Sequence, residues 1–220
     1  MTPDGPSLPV TGIVLAGGRG SRFGGPKLTA GVDGVPLLHR AILAVAAVAG
    51  EVVVVTRPDD MPDLPAIGVP IRLVHDPEPD GGPLVGLATG LRSATGAVSL
   101  VVGGDMPHLS PAVLGAMLSA LGTRTGEAVL LASPDPAAPR QTLPLALETA
   151  AALPAADAAI QAGRRALQAA LDGLVVVELA ASSWLRFDPD GGTLDDVDEP
   201  ADLERLAGRP IEAPKHGEGT

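Results

Sequence analysis

"TGIVLAGGRGSRFGGPK", residues 11–27, runs from an unbroken apolar stretch straight into a loop of five glycines, two arginines and a lysine. The apolar half, 11–16, has the length and composition of a strand buried on both faces. The glycines let backbone N–H groups come close to a ligand, and Arg22 and Lys27 add positive charge. A strand that empties into such a loop opens an α/β fold built to hold an anion.

Working outward, the same strand type recurs between helical patterns. "EVVVVTR" (51–57), "IRLVHD" (71–76), "AVSLVVGGD" (97–105) and "EAVLLAS" (127–133) read as strands, as do "RQTLPLAL" (140–147) and "LVVVEL" (174–179). Helices are predicted over 36–50, 83–94, 110–121, 155–171 and 199–208, the third with Ser110 as its cap and Pro111 in its first turn. No internal repeat is present. Alternation of this kind predicts an α/β chain of three layers (α/β/α), Rossmann-like, with a mostly parallel sheet. Ligands then bind at the carboxyl ends of the strands. Those ends carry the glycine loop, Thr56-Arg57, Asp76 and Gly104-Asp105, so residues distant in sequence are expected on one rim.

Composition narrows the chemistry. At 220 residues one core suffices, and we expect a single domain over 11–207, a flexible start (1–10) and a disordered tail (208–220). A net charge of −11 repels a phosphate polymer, and two Phe, one Trp and no Tyr leave no platform for stacking bases, so nucleic acid is not an expected partner. The absence of Cys excludes disulfides, thiolate nucleophiles and thiolate metal sites. Neither a leader peptide nor a membrane-length apolar run is visible, which predicts a cytoplasmic protein without membrane contact. Thirteen of the fifteen basic residues are Arg. Of the two lysines, Lys215 falls in the polar tail and Lys27 in the glycine loop, which singles out Lys27 for a task that needs an ammonium.

Two familiar phosphate loops fail on spacing. A Walker A loop would use Gly20 and Gly25, but Pro26 intervenes before Lys27 and Leu28 replaces the hydroxyl that binds magnesium. A dinucleotide fingerprint from Gly18 and Gly20 would need its third glycine where Phe23 stands. What remains is L-A-G-G-x-x-x-R-[FM]-G-x-x-K directly after the first strand. Further along come "HDPEPDGGPLVGLATGL" (75–91), "VVGGDMPHLSP" (101–111), "RQTLPLAL", "QAGRRALQAAL" (161–171) and "TLDDVDEPADLERL" (193–206). In that order they resemble the segments of nucleotidyltransferases with the nucleotide-diphospho-sugar transferase fold. They are most similar to the molybdenum cofactor guanylyltransferases, over about residues 11–207. Two positions depart from that pattern: Pro26 stands for an Asp, and Asp196-Val197-Asp198 for Asn-x-Asn. The second form is used by cytidylyltransferases of the same cofactor pathway, whereas L-A-G-G and G-P-L match the guanylyl enzymes.

The resemblance implies transfer of GMP from GTP to the terminal phosphate of molybdopterin, with Mg²⁺ as cofactor and release of pyrophosphate. A cytidylyltransferase, another small-molecule nucleotidyltransferase and a non-catalytic nucleotide-binding protein stay open as alternatives. Partners implied are GTP, molybdopterin and other proteins of cofactor synthesis or molybdoenzyme maturation. Nucleotide-binding residues implied are Leu15, Ala16, Gly17, Gly18, Lys27, Asp76 and Asp105, with Lys27, Arg22 and Asp105 catalytic. Arg164 and Arg165 are expected on the acceptor side, and Asp105 with Asp198 on the metal. Gly103 and Gly104 are read as leaving room for a phosphate beside Asp105. The nucleophile is already an anion, so no general base is required. The task is to gather phosphate oxyanions and stabilise the leaving pyrophosphate, which suits a metal, Lys, Arg and backbone amides.

Overall fold

The computed structural model describes residues 9–18, 27–78, 81–123 and 125–206. Its centre is four parallel strands rich in β-branched residues: β1 (Val10–Leu15), β4 (Glu51–Thr56), β5 (Ile71–His75) and β6 (Val98–Gly103). They stand in the order β5-β4-β1-β6, and β8 (Leu145–Glu148), β7 (Ala128–Leu131) and β9 (Val176–Leu179) complete a seven-stranded sheet beyond β6. Alternate residues of the central strands serve opposite faces. Val14, Val52, Val54 and Val102 meet α1 (Leu37–Ala46) and α3 (Pro111–Thr123). Ile13, Val53, Val55 and Val101 meet α2 (Pro83–Ser93) and α4 (Thr149–Gln161). Both faces being apolar, the strands read as continuous hydrophobic runs, and the three-layer expectation holds.

Strand order positions the site. From β1 the chain fills the sheet outward through β4 and β5, then returns to place β6 on the other side of β1. The crevice at the carboxyl ends of β1 and β6 is therefore the switch point where such sheets bind ligands. It is closed tightly: the Gly104 N–H donates to the Leu15 carbonyl at 2.9 Å, and Ala16 N–H to Val55 at 2.8 Å.

Several elements differ from expectation. The helix read over 155–171 starts earlier, at Thr149, with Pro154 inside it, and breaks at Gly163. That glycine takes φ 77°, a conformation that ends helices, and the short α5 (Gln168–Leu171) follows. The strand read over 140–147 is confined to β8 and runs antiparallel to both β6 and β7. The first helix stops at Ala46 rather than 50, and Pro36 belongs to a hairpin of β2 (Gly31–Val32) and β3 (Val35–Pro36). Asp33 and Gly34 make its turn, both at positive φ, and Asp-Gly between two valines is the sequence signal for such a turn. The chain adds α6 (Ala181–Trp184) and ends its described part in α7 (Pro200–Leu206).

Candidate active site

The crevice is a cleft of about 620 Å³, within the range usual for small-molecule sites. Leu15, Ala16, Gly17 and Gly18 form one wall, Gly103 and Asp105 another, and Lys27 and Asp76 reach it from elsewhere in the chain. Arg22 belongs to segment 19–26, outside the described residues.

Lys27 opens a short 3₁₀ turn, Lys27–Thr29, on the far side of the glycine loop. Its ammonium donates to Asp105 Oδ2 at 2.8 Å and to Asp198 Oδ1 at 3.2 Å. The lysine side chain is only 12% exposed, against 31% for Asp105 and 59% for Asp198, so the ammonium is the inner member of the triad. Burial pulls its pKa down, but the hydrogen bonds and charges of Asp105 and Asp198 outweigh that and raise it above the usual lysine value. Asp196 joins the same field. The protein packed around its carboxyl group pushes its pKa up first, and the negative charges of Asp198 and Asp105 add to this against the opposing pull of Lys27.

Asp105 owes its position to Gly103. A Cβ on Gly103 would stand 2.4 Å from Asp105 Oδ1, so the carboxylate folds back over the glycine's bare face. The room left by Gly103 is shared: Asp105 Oδ1 occupies the space of its missing side chain, and Gly103 still lines the cleft. Gly104 serves close packing, its missing side chain facing the Leu15 carbonyl, Leu28 and Leu38 at 3.3 Å.

Asp198 arrives from the far end of the chain on an anchored segment. The Val197 N–H donates to the Asp105 carbonyl at 3.0 Å, tying the two acidic residues through the backbone. Four residues before Val197, buried Thr193 accepts the Ser110 N–H at 3.1 Å. Asp202 Oδ2 receives the N–H groups of both Asp198 and Glu199 at 2.9 Å, closing the start of α7. Those bonds and the Arg205 guanidinium hold the Asp202 carboxyl down at about 2. Val197 is fully buried in a small separate apolar cluster with Val32, Leu37 and Leu206. The hairpin that follows Lys27 and the helix that follows Asp198 thus share one satellite core.

Asp76, at the end of β5, is 7% exposed and accepts the Glu78 N–H on Oδ1 at 2.9 Å. Burial pushes its carboxyl up, the Glu78 N–H pulls it back, and the Glu78 charge adds to the rise. Its Oδ2 faces Gly86 of α2, 3.8 Å from where a Cβ there would stand. Gly82, Pro83 and Gly86 complete this side of the cleft, as the G-P-L-x-G spacing around them allows. Leu28, Val55 and Leu143 add apolar lining; Leu143 belongs to the "RQTLPLAL" segment, while Leu28 and Val55 fall outside the quoted motifs.

The two arginines expected toward the acceptor are engaged elsewhere. Arg164 pairs with Asp172 at 2.6 Å and borders a different hollow, between α4 and α5. Arg165 donates to the Ile160 and Arg164 carbonyls, and its guanidinium lies 3.8 Å from Glu78. Its backbone packs on Gly82 at the rim and its carbonyl accepts the Leu84 N–H, but it is not part of the cleft wall. Thr56 is buried, its hydroxyl turned to the Asp60 carbonyl and His75. His108 follows Asp105 closely, with a side chain 5% exposed and neither ring nitrogen hydrogen-bonded.

Among the described residues, no three His, Cys, Asp or Glu side chains converge on one metal position. Two carboxylates meeting on one ammonium nevertheless fit magnesium, which takes one or two protein carboxylates and fills its octahedron with waters and substrate phosphates. Among the described residues, no helix is long and apolar enough to cross a membrane.

Known proteins agree with this geometry. Residues 12–175 match the MobA-like NTP transferase domain. A probable molybdenum cofactor guanylyltransferase of Chloroflexus aggregans is 35% identical over 199 residues, 89% of this chain and 92% of that protein. A molybdenum cofactor guanylyltransferase of Xanthomonas euvesicatoria is 41% identical over 114 residues, about half of each chain (50% and 54%). Molybdopterin-guanine dinucleotide biosynthesis protein A from Archaeoglobus fulgidus superposes with a TM-score of 0.71 at 20% identity, covering 89% of this chain and 95% of that one. At that identity the likeness shows the fold, which is the nucleotide-diphospho-sugar transferase type. The sheet order, the cleft at its switch point and the match across most of the sequence lead to one assignment: this chain belongs to the MobA-like NTP transferase family.

Proposed function

We propose that this protein is a molybdenum cofactor guanylyltransferase: it transfers GMP from GTP to the terminal phosphate of molybdopterin and releases pyrophosphate. The observation that carries this reading is the meeting of Lys27 with Asp105 and Asp198 at the mouth of the glycine loop. An acceptor phosphate oxygen attacks the α-phosphorus of GTP, the bond to the β-phosphate breaks, and the electron pair leaves on pyrophosphate. A phosphate monoester near neutral pH is already a nucleophile, so the site works by positioning and charge. Leu15 to Gly18 offer backbone close to the phosphates, and Lys27, held charged, supplies a donor to the leaving oxygens. Asp76 at the inner wall is the group for the nucleoside, and Arg22 adds charge from the loop. Asp105 and Asp198 would hold Mg²⁺, which when bound spreads the negative charge of the phosphate oxygens. Arg164 and Arg165, engaged as they are, would serve the acceptor only after exchanging their present partners.

Guanine is favoured over cytosine by Leu15-Ala16-Gly17-Gly18 and Gly82-Pro83-Leu84, while Asp196-Val197-Asp198 is the feature the cytidylyl reading shares. Pyrophosphate release is the deciding measurement, with molybdopterin and Mg²⁺ present and GTP or CTP supplied separately. Release with GTP well above CTP is expected. Preference for CTP would overturn the base assignment, and no release with either would overturn the reaction.

A further inference from the structure

One cation of the chain's own bridges the two carboxylates that the proposed function assigns to the metal. Lys27 Nζ lies 2.8 Å from Asp105 Oδ2 and 3.2 Å from Asp198 Oδ1. A magnesium ion bound through the same oxygens sits about 2.0–2.1 Å from each. A divalent ion and an ammonium at such distances from shared oxygens repel strongly in a half-buried setting. Lys27 also stands directly after the loop whose backbone is suited to phosphates, so its ammonium has two competing anionic claimants: the carboxylates within the site and an arriving triphosphate. Asp105 is in turn fixed by Gly103, and Asp198 by the Val197 and Asp202 bonds. The main chain that carries each carboxylate is anchored and Asp105 packs over Gly103, whereas Lys27 is a flexible stem of four methylenes. In an exchange it is the lysine that moves.

We propose that Lys27 is the resident counter-ion of the metal site, keeping Asp105 and Asp198 neutralised until a nucleotide's phosphates draw the ammonium away and free both carboxylates for the divalent ion. Metal therefore enters with the nucleotide or after it, not before. The inference rests on the assignment of Asp105 and Asp198 to the metal and goes beyond it by giving an order of binding. A salt bridge that stayed closed when nucleotide arrived would impose no such order.

The test is Mn²⁺ binding without nucleotide, followed by the electron paramagnetic resonance signal of the free ion, with thermal unfolding checked in parallel. Lys27→Met keeps the stem and removes the charge. Its Mn²⁺ affinity is expected to exceed that of the parent by roughly tenfold or more, the scale of one close like charge removed at an intermediate dielectric. Lys27→Arg, which keeps the charge, is expected to bind as weakly as the parent. If Lys27→Met fails to fold, Lys27→Gln carries the same comparison. Equal or weaker Mn²⁺ binding in the neutral variants overturns the inference. Asp105→Asn, added to the parent and to the neutral variant, separates the two failures. If it weakens Mn²⁺ binding in both while the neutral variant shows no gain, the metal assignment stands without the counter-ion role. If it changes neither, the metal assignment falls and the inference with it.

Discussion

At the scale of single residues, function turns on how carboxylates are held, and two substitutions separate holding from chemistry. Gly103→Ala inserts a methyl 2.4 Å from Asp105 Oδ1, so the carboxylate has to move while the buried strand beneath it stays apolar. Misplacement by about an ångström commonly costs roughly a hundredfold in rate, and that is the expected fall in turnover, with thermal stability changing far less. Turnover near that of the parent would show that Asp105 does not need its present position. Asp198→Asn asks a different question. Asp198 Oδ1 touches Lys27, whereas the N–H groups of Asp198 and Glu199 just ahead of α7 go to Asp202 Oδ2, so the side chain of Asp198 is not what closes the helix. The variant should need more Mg²⁺ for half-maximal activity and melt where the parent does. An unshifted titration would leave Asp105 as the one protein carboxylate on the metal. These roles were only partly legible in the sequence. The motif around Asp105 pointed to the carboxylate, but its packing over Gly103 was not legible, because nothing in "VVGGD" says which way the Asp105 side chain folds. The Lys27–Asp198 contact joins positions 171 apart, and no local pattern encodes it.

At the scale of elements, the chain spells out what is buried twice and stays silent on direction and on small parts. The valine runs of β1, β4 and β6 are continuous because each faces two layers, and they were readable for that reason. The antiparallel course of β8 was not readable, since "LALE" would serve either direction. The β2–β3 hairpin did carry a signal, Asp33-Gly34, yet two-residue strands leave no periodicity to detect. The long helix was misjudged at both ends, because an alanine-rich pattern continues past Gly163 while only a positive φ shows the break. These small elements matter to the site. The satellite core of Val32, Leu37, Val197 and Leu206 joins the hairpin after Lys27 to the helix after Asp198. Leu206→Ala empties part of it at a cost of about 2–5 kcal/mol for a buried leucine. That loss is expected to be local: faster amide exchange over 31–36 and 195–206 and a raised Mg²⁺ requirement, with the protection of β1 and β6 retained. Uniformly faster exchange across the sheet would show instead that the satellite core is part of the main one.

At the scale of the whole molecule, one carboxylate ties together strands that the topology brings from different parts of the chain. Glu51 at the start of β4 accepts from Thr11 of β1 at 2.7 Å, from the Thr95 N–H and hydroxyl at 2.8 Å, and from Arg72 of β5 at 2.8 Å. Burial alone would push its pKa up, but the bonds from Thr11, Thr95 and Arg72 prevail and hold it at about 2, below the ordinary 4.5. An acid with a folded-state pKa below its unfolded one contributes stability fully above the unfolded value and loses it as pH falls through the folded value. Its window here is therefore pH 4.5 down to about 2. Total stability over that range also reflects the other carboxylates of a chain with 26 acidic and 15 basic residues, whose mutual repulsion fades as they protonate. Comparison with Glu51→Gln removes that shared background, because both proteins carry it. Urea unfolding across pH should find Glu51→Gln less stable than the parent above pH 4.5, with the difference shrinking as the pH approaches 2. A difference that stayed constant with pH would mean that Glu51 contributes shape and hydrogen bonds but no charge.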